Sequence, residues 1–374
     1  MIRRLPAQAL VVTLVALAAG PGCGGSKQDA PASSDPVVKQ AQAALEQAVT
    51  SVEDYRGPAA GPRAQPPRLV VFIAADLTNG GIAGVARGVE EAARTIGWPL
   101  RILDGQGNPA GHRTALKAAI QLEPGGIILG GFDAAEQREL LRRAEARNVP
   151  VVGWHAGTSP GPDPRNHLFA NVTTNPDAVA RLAARYVIAD SGGTAGAVIF
   201  TDSQFAIAQR KMRVMRAELR SCRRCTVLQV IDTPIASAQV AMPTLVTSVL
   251  QRYGARLRYL LAINGAYFAG ARTGLVGAGR RPDDPPFGVA AGDGDASEFE
   301  RIRSGDYQRA SVAEPLYLQG WQLIDELNRA RAGEPISGYI APPRLITRDQ
   351  VPDGGVFDPA RDYRASYSRI WGGR

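Results

Sequence analysis

The segment from Leu69 to Gly105 constrains the fold more than any other part of the chain. Leu69-Val-Val-Phe-Ile-Ala-Ala75 is a short apolar run, Asp76 to Gly81 a polar turn containing glycine, and Ile82 to Ile96 carries apolar residues at helical spacing. Gly97-Trp98-Pro99 stops that helix, and Leu100-Arg-Ile-Leu103 opens a second apolar run. Strand, loop, helix and strand in this order make the unit of a parallel α/β sheet. Open sheets of this kind bind ligands in the crevice beyond the carboxyl ends of their strands, so the loop holding Asn79 is the first candidate ligand position.

The alternation continues. Helices are expected over His112 to Leu122 and Ala135 to Arg147, and strands over Gly126 to Leu129 and Val149 to Trp154. A new cycle follows Asn171-Val-Thr-Thr174, with helices over Asp177 to Ile188, Ile207 to Leu219, Ala241 to Tyr253 and Tyr267 to Ala278. Its strands are Ala197 to Phe200, Val227 to Ile231, Tyr259 to Ala262 and Phe287 to Ala290. Arg309 to Ala313 reads as a strand crossing between the two halves, Pro315 to Ala332 as a helix and Pro343 to Ile346 as a last strand. A chain of 374 residues with 45% hydrophobic content can bury two cores. The expected fold class is therefore α/β, in two doubly wound, Rossmann-like lobes with a cleft between them suited to closing over a small molecule.

Met1-Ile-Arg-Arg4, the apolar Ala9 to Ala19 and Gly20-Pro21-Gly22-Cys23 read as a bacterial export signal over residues 1–22. Cys23 directly after it resembles the acylated cysteine of the bacterial lipoprotein lipobox, from which Pro21 departs. Acylation with membrane anchoring and plain secretion both stay open. The apolar run is short for a transmembrane helix, which needs about 20 residues. Residues 23–67, rich in Ala, Pro, Ser, Gly and Gln, are expected to be tether and linker, with helical composition over Val37 to Val52. The formal charge of +8 falls to +6 without Arg3 and Arg4 and is spread along the chain. It reads as solvated surface, and no nucleic-acid-reading module accompanies it.

Leu103-Asp104 followed by Gly107-Asn108-Pro109, Asn148-Val-Pro-Val-Val152, Leu261-Ala-Ile-Asn264 and Gly292-Asp293-Gly294 occur in an informative order and spacing. With them, the body from about Arg68 to Arg348 resembles the ribose-type periplasmic binding proteins. These are the substrate-binding components of bacterial sugar ABC importers, related to the effector domains of LacI regulators. The resemblance implies three crossings, near Asn171, Glu314 and Pro342-Pro343. It also implies an N-terminal lobe of 68–171 plus 315–342 and a C-terminal lobe and tail of 172–314 plus 343–374. Hinge closure would trap a small ligand in a periplasmic, monomeric protein and present it to a membrane permease.

Carry-over from the family places Asn79, Asp133, Asn264, Asp293 and Glu314 at the cleft. Amides and carboxylates at strand ends can pair with hydroxyl groups. Asn79, Asp133 and Asn264 are also suited to helix or turn capping, and Glu314 either to ligand binding or to pairing across the hinge. Where the family often carries Asp-Arg after the fourth strand, this chain has Trp154-His155, and Gln209 stands where a second arginine is expected, with Lys211 nearby. An indole in place of charged forks suggests a neutral polyol-like ligand or one with a flat ring. Phe132 and Tyr267 suit either packing or an aromatic cleft.

Cys222-Arg-Arg-Cys225 follows a helix, and in an exported chain it is expected to be a local structural disulfide. Only 3 His are present, and no zincin, nucleophile-elbow, P-loop or dinucleotide fingerprint occurs. The reading is a binding protein without cofactor or metal, not an enzyme. A sensor that docks on a membrane receptor remains as the alternative to transport.

Overall fold

The computed structural model describes residues 35–50, 55–358 and 362–372. The export signal, Cys23 and the start of the tether lie outside them. The first sheet contains β1 (Val70–Ala74), β2 (Leu100–Asp104), β3 (Gly126–Gly130), β4 (Val151–Trp154), β5 (Gly161–Asp163) and β6 (Leu168–Val172), in the order β2-β1-β3-β4-β6-β5. The second contains β7 (Gly196–Thr201), β8 (Thr226–Asp232), β9 (Tyr259–Ala262), β10 (Phe287–Ala290), β11 (Gln308–Ala313) and β12 (Arg344–Thr347), in the order β12-β11-β10-β9-β7-β8. Pairing is parallel except at one edge of each sheet, where β5 and β12 run antiparallel to their neighbours.

The inner strands β1, β3, β4, β7, β9 and β10 are buried at every position. That is why they read as unbroken apolar runs: both faces of a parallel sheet are covered by helices. The helix α2, counted after α1 (Pro36–Thr50), spans Gly80–Ile96 and buries Val85, Val89 and Ala92 along one face. Asn79 caps its start, and Gly97 ends it at φ 81°, a conformation that glycine adopts freely.

Between β1 and β12 the chain passes between the lobes at three places. After β6 it runs through Thr173 and Thr174 from the first lobe, which also carries α3 (Pro109–Gln121) and α4 (Arg138–Glu145), to α5 (Pro176–Asp190) of the second. The second lobe adds α6 (Ala206–Ser221), α7 (Ala238–Tyr253), α8 (Ala266–Gly277) and α9 (Ala296–Ser304). After β11 the chain returns through Glu314 to α10 (Leu316–Ala332), whose Leu318, Trp321, Leu323 and Ile324 join the first core, and then goes back to β12. Cys222 and Cys225 are disulfide-bonded at the turn from α6 into β8.

The stretch of helical composition beginning at Val37 does form a helix, while the end of the linker and the tail differ from expectation. Residues 36–50, within the expected linker, form α1, which buries Val38, Ala41 and Ala48 in the second core. Residues 60–65 pack on α10, where Asn328 Oδ1 accepts from the Gln65 N–H and Arg329 Nη2 donates to the Ala60 carbonyl. The tail was expected with the second lobe. Its helix α11 (Tyr363–Gly372) instead places Tyr363, Tyr367, Ile370 and Trp371 in the first core. Trp371 stacks on Trp321 with centroids 5.4 Å apart, and its Nε1 donates to Asp325 Oδ1 at 2.9 Å. The physical reason lies on α10, whose Trp321, Asp325, Asn328 and Arg329 are apolar or polar groups that need cover and partners. The two chain ends supply them. Among the described residues, no helix is long and apolar enough to cross a membrane.

Replacing Trp371 with Ala should cost about 3–5 kcal/mol and lower the melting temperature in calorimetry. An unchanged transition would show that α11 does not belong to the first core.

Candidate functional site

The carboxyl ends of both sheets face one another around a cavity of about 70 Å³. Drug-sized ligand pockets start near ~300 Å³, so this space suits a compact solute. Asp76, Asn79, Ile82, Trp154 and His155 line it from the first lobe. Phe205, Ile207, Lys211, Ile263, Asn264 and Asp293 are among the residues that line it from the second.

Asn264, just after β9, and Asp293, after β10, are brought together. Asn264 Nδ2 donates to Asp293 Oδ2 at 2.6 Å, while its Oδ1 accepts the Ala266 N–H at 2.7 Å as α8 begins. The amide therefore holds the carboxylate and starts the helix at once. Burial pushes the Asp293 carboxyl up to about 6 against the opposing charges of Lys211 and His155. Across the cleft lies the start of α2: a Cβ at Gly81 would overlap the Asp293 carboxylate and stand 2.7 Å from Asp293 Cβ. Asn79 lines the cavity and caps α2, its Oδ1 accepting from the Gly81 and Ile82 N–H groups at 3.0 and 3.2 Å.

Glu314 does not line the cavity. It is buried at the second passage between lobes, where His155 Nε2 lies 3.1 Å from Oε2 and Lys211 Nζ donates to Oε1 at 3.3 Å. Burial alone would raise its pKa, but the His155 and Lys211 charges and the hydrogen bonds from His155 and Gln319 hold it well below the usual carboxylate range. Of the two readings for Glu314, the geometry is that of pairing across the hinge. Trp154 is buried with its Nε1 donating to Gln319 Oε1 at 2.8 Å, and it stacks on His155 with centroids 3.9 Å apart. Gln319 Nε2 in turn donates to Thr174 Oγ1 and Glu314 Oε2. The indole thus forms a fixed cavity wall.

Other expected positions do not reach the cavity. Asp133 lies outside its lining, and its Oδ2 accepts the Ala206 N–H of α6 at 2.8 Å. It gives no side-chain cap to the short helical turn that follows it either. Gln209 turns away to donate to Thr201 Oγ1 at 3.2 Å, while Lys211, two residues on, enters the cavity. Helical geometry explains this, because neighbouring helix positions at that spacing face different directions. Phe132 packs against His112, and Tyr267 donates to the Thr233 carbonyl, so both are packing residues. Sequence reasoning missed Asp76, Phe205 and the isoleucines of the cavity wall, and it missed Gln319 altogether. Phe205 lies in a loop without periodic signal, Ile82 and Ile207 read as the packed faces of their helices, and a glutamine within a helix reads as surface.

His155, Asp293 and Glu314 bring ligand-type atoms within 4.8 Å of one another, a spacing that a divalent cation could use. Lys211 already supplies the positive charge there, through its bonds to Glu314 and the Ala291 carbonyl. The set fits an internal ion cluster better than a metal site.

The sugar ABC transporter protein of Yersinia enterocolitica subsp. enterocolitica 8081 superposes with a TM-score of 0.70 at 17% identity, over 84% of this chain and 99% of that one. A solute-binding protein from Agrobacterium vitis bound with α-D-tagatopyranose gives 0.67 at 17%, over 78% and 99%. The arabinose transporter binding protein of Shewanella sp. ANA-3, bound to α- and β-L-arabinofuranose, gives 0.65 at 15%, over 82% and 96%. At these identities the likeness is one of fold. No curated protein sequence matches the chain. The periplasmic binding protein domain matches residues 70–335, most of the chain, and with two lobes joined by three passages around a compact cavity, this protein belongs to that family.

Proposed function

We propose that the protein is an exported solute-binding protein that captures a compact, neutral, polyhydroxylated molecule, monosaccharide-like in chemistry, by hinge closure and delivers it to an ABC importer without chemical turnover. The observation that carries this is the Asn264–Asp293 pair, which offers hydroxyl-matching groups at the cavity wall. The sugars named with the structural relatives from Agrobacterium vitis and Shewanella support it. Trp154, Phe205, Ile207 and Ile263 favour a second reading, a less polar ring compound held against flat and aliphatic walls. Acylation of Cys23 would anchor the protein at the membrane beside its permease. Mass spectrometry of the mature N-terminus should find the lipid there, and an unmodified or absent Cys23 would remove the anchor.

Thermal-shift screening of the mature protein against monosaccharides, polyols, nucleosides and small aromatics tests the ligand class. A ligand at 100 times its Kd should add about 2.7 kcal/mol of stability. Shifts from aromatics alone would favour the second reading. Asp293→Ala should weaken sugar binding at least about tenfold, the order expected for a charged hydrogen-bond partner, while the protein stays folded. Unchanged affinity in calorimetric titration would exclude Asp293 from ligand contact.

The same carboxylate sets a pH dependence. If hydroxyls donate to ionised Asp293, affinity should fall as pH drops below about 6, and Asp293→Asn should flatten the profile. For stability the sign is opposite. A carboxyl raised by burial favours the folded state most when protonated, so its contribution shrinks as pH rises from its ordinary value of 3.8 to about 6.

A further inference from the structure

From the contacts that cross between the lobes, we infer that Asp133 is a closure-positioning residue that completes helix α6 of the opposite lobe and so holds the two lobes together. The helix α6 begins after Phe205, whose side chain cannot cap it, and among the described residues no side chain of its own lobe accepts from its first N–H. Nearby Asp202 spends its carboxylate on the Gln204 and Ile235 N–H groups. The Ala206 N–H, one of the orphan donors of a helix start, finds its acceptor on Asp133 of the first lobe. Asp133 Oδ1 is buried without a partner, so the Ala206 bond is the carboxylate's only hydrogen bond among the described residues.

Four residues along the same helix, Arg210 makes a second tie. Its Nη1 donates to the Thr158 carbonyl at 2.9 Å and to Ser159 Oγ at 3.0 Å in the first lobe, while Asp177 of α5 holds the rest of the guanidinium. On the other side of the cleft the arrangement is crossed. The start of α2 in the first lobe lies against Asp293 and Asp295 of the second, with Gly80 and Gly81 leaving no room for a side chain. Each lobe therefore sets a carboxylate against a helix start of the other. These contacts need no ligand atom, so the inference goes beyond the sugar reading and does not depend on it.

Hydrogen exchange at single-amide resolution on the ligand-free full chain tests this. The Ala206 amide should be protected in the wild type, and Asp133→Ala should speed its exchange at least about fivefold, the factor for a lost cap. Amides of β1 and β7 should keep their protection. Asp133→Asn, which retains an acceptor of the same shape, should restore part of it. Gly81→Ala, which obstructs closure through Asp293 and leaves Asp133 in place, should release the Ala206 amide as well. A wild-type Ala206 amide that exchanges as freely as one in an unfolded chain would overturn the inference, as would protection that survives Asp133→Ala or Gly81→Ala. Ala206 protection that depends on Asp133 would uphold the latch even if no sugar bound.

Discussion

A carboxylate buried away from water must find cations or donors nearby, because desolvation costs several kcal/mol that only well-placed partners recover. At Glu314 those partners come from both lobes. His155 reaches it from the end of β4 and Lys211 from α6, while Gln319 reaches it from the crossing helix α10. Gln319 also holds the Trp154 indole and the Thr174 hydroxyl, so two of the three passages between lobes share one hydrogen-bonded chain with a wall of the cavity. Hinge and ligand wall are consequently not separate parts. A change in the hinge angle alters the setting of residues that line the cavity.

The strands were readable because burial on both faces leaves a compositional mark. Val70 to Ala74 and Tyr259 to Ala262 admit only apolar residues, and the glycine and proline punctuation between elements is local. Asn79, Asn264 and Asp293 are legible as cleft residues for a related reason: each lies in the loop that follows a strand, and strand ends define the crevice. The resemblance to ribose-type binding proteins sharpened this order of elements into a particular hinge, and the family match bears out that fold.

Less legible were side chains whose direction is decided by tertiary packing. Gln209 and Lys211 lie on the same helix, and no local rule says which of them faces the cleft. From its sequence position Asp133 suits a ligand contact or a local cap, but its acceptor role is directed across the cleft to a residue 73 positions away. The flanking segments misled through composition. An Ala- and Pro-rich stretch reads as linker whether or not a distant helix offers it a surface, and the polar face of α10 is that surface.

The folded approach to the first strand has a mechanical consequence. Helix α1 is seated on the second lobe, and the chain from Tyr55 onward lies on the first. Five peptide links join Thr50 to Tyr55, and a fully extended chain of that length reaches about 18 Å at most. This is a leash of fixed length outside the hinge proper: however wide the jaws swing, neither can travel farther from the other at that point unless α1 peels from its seat.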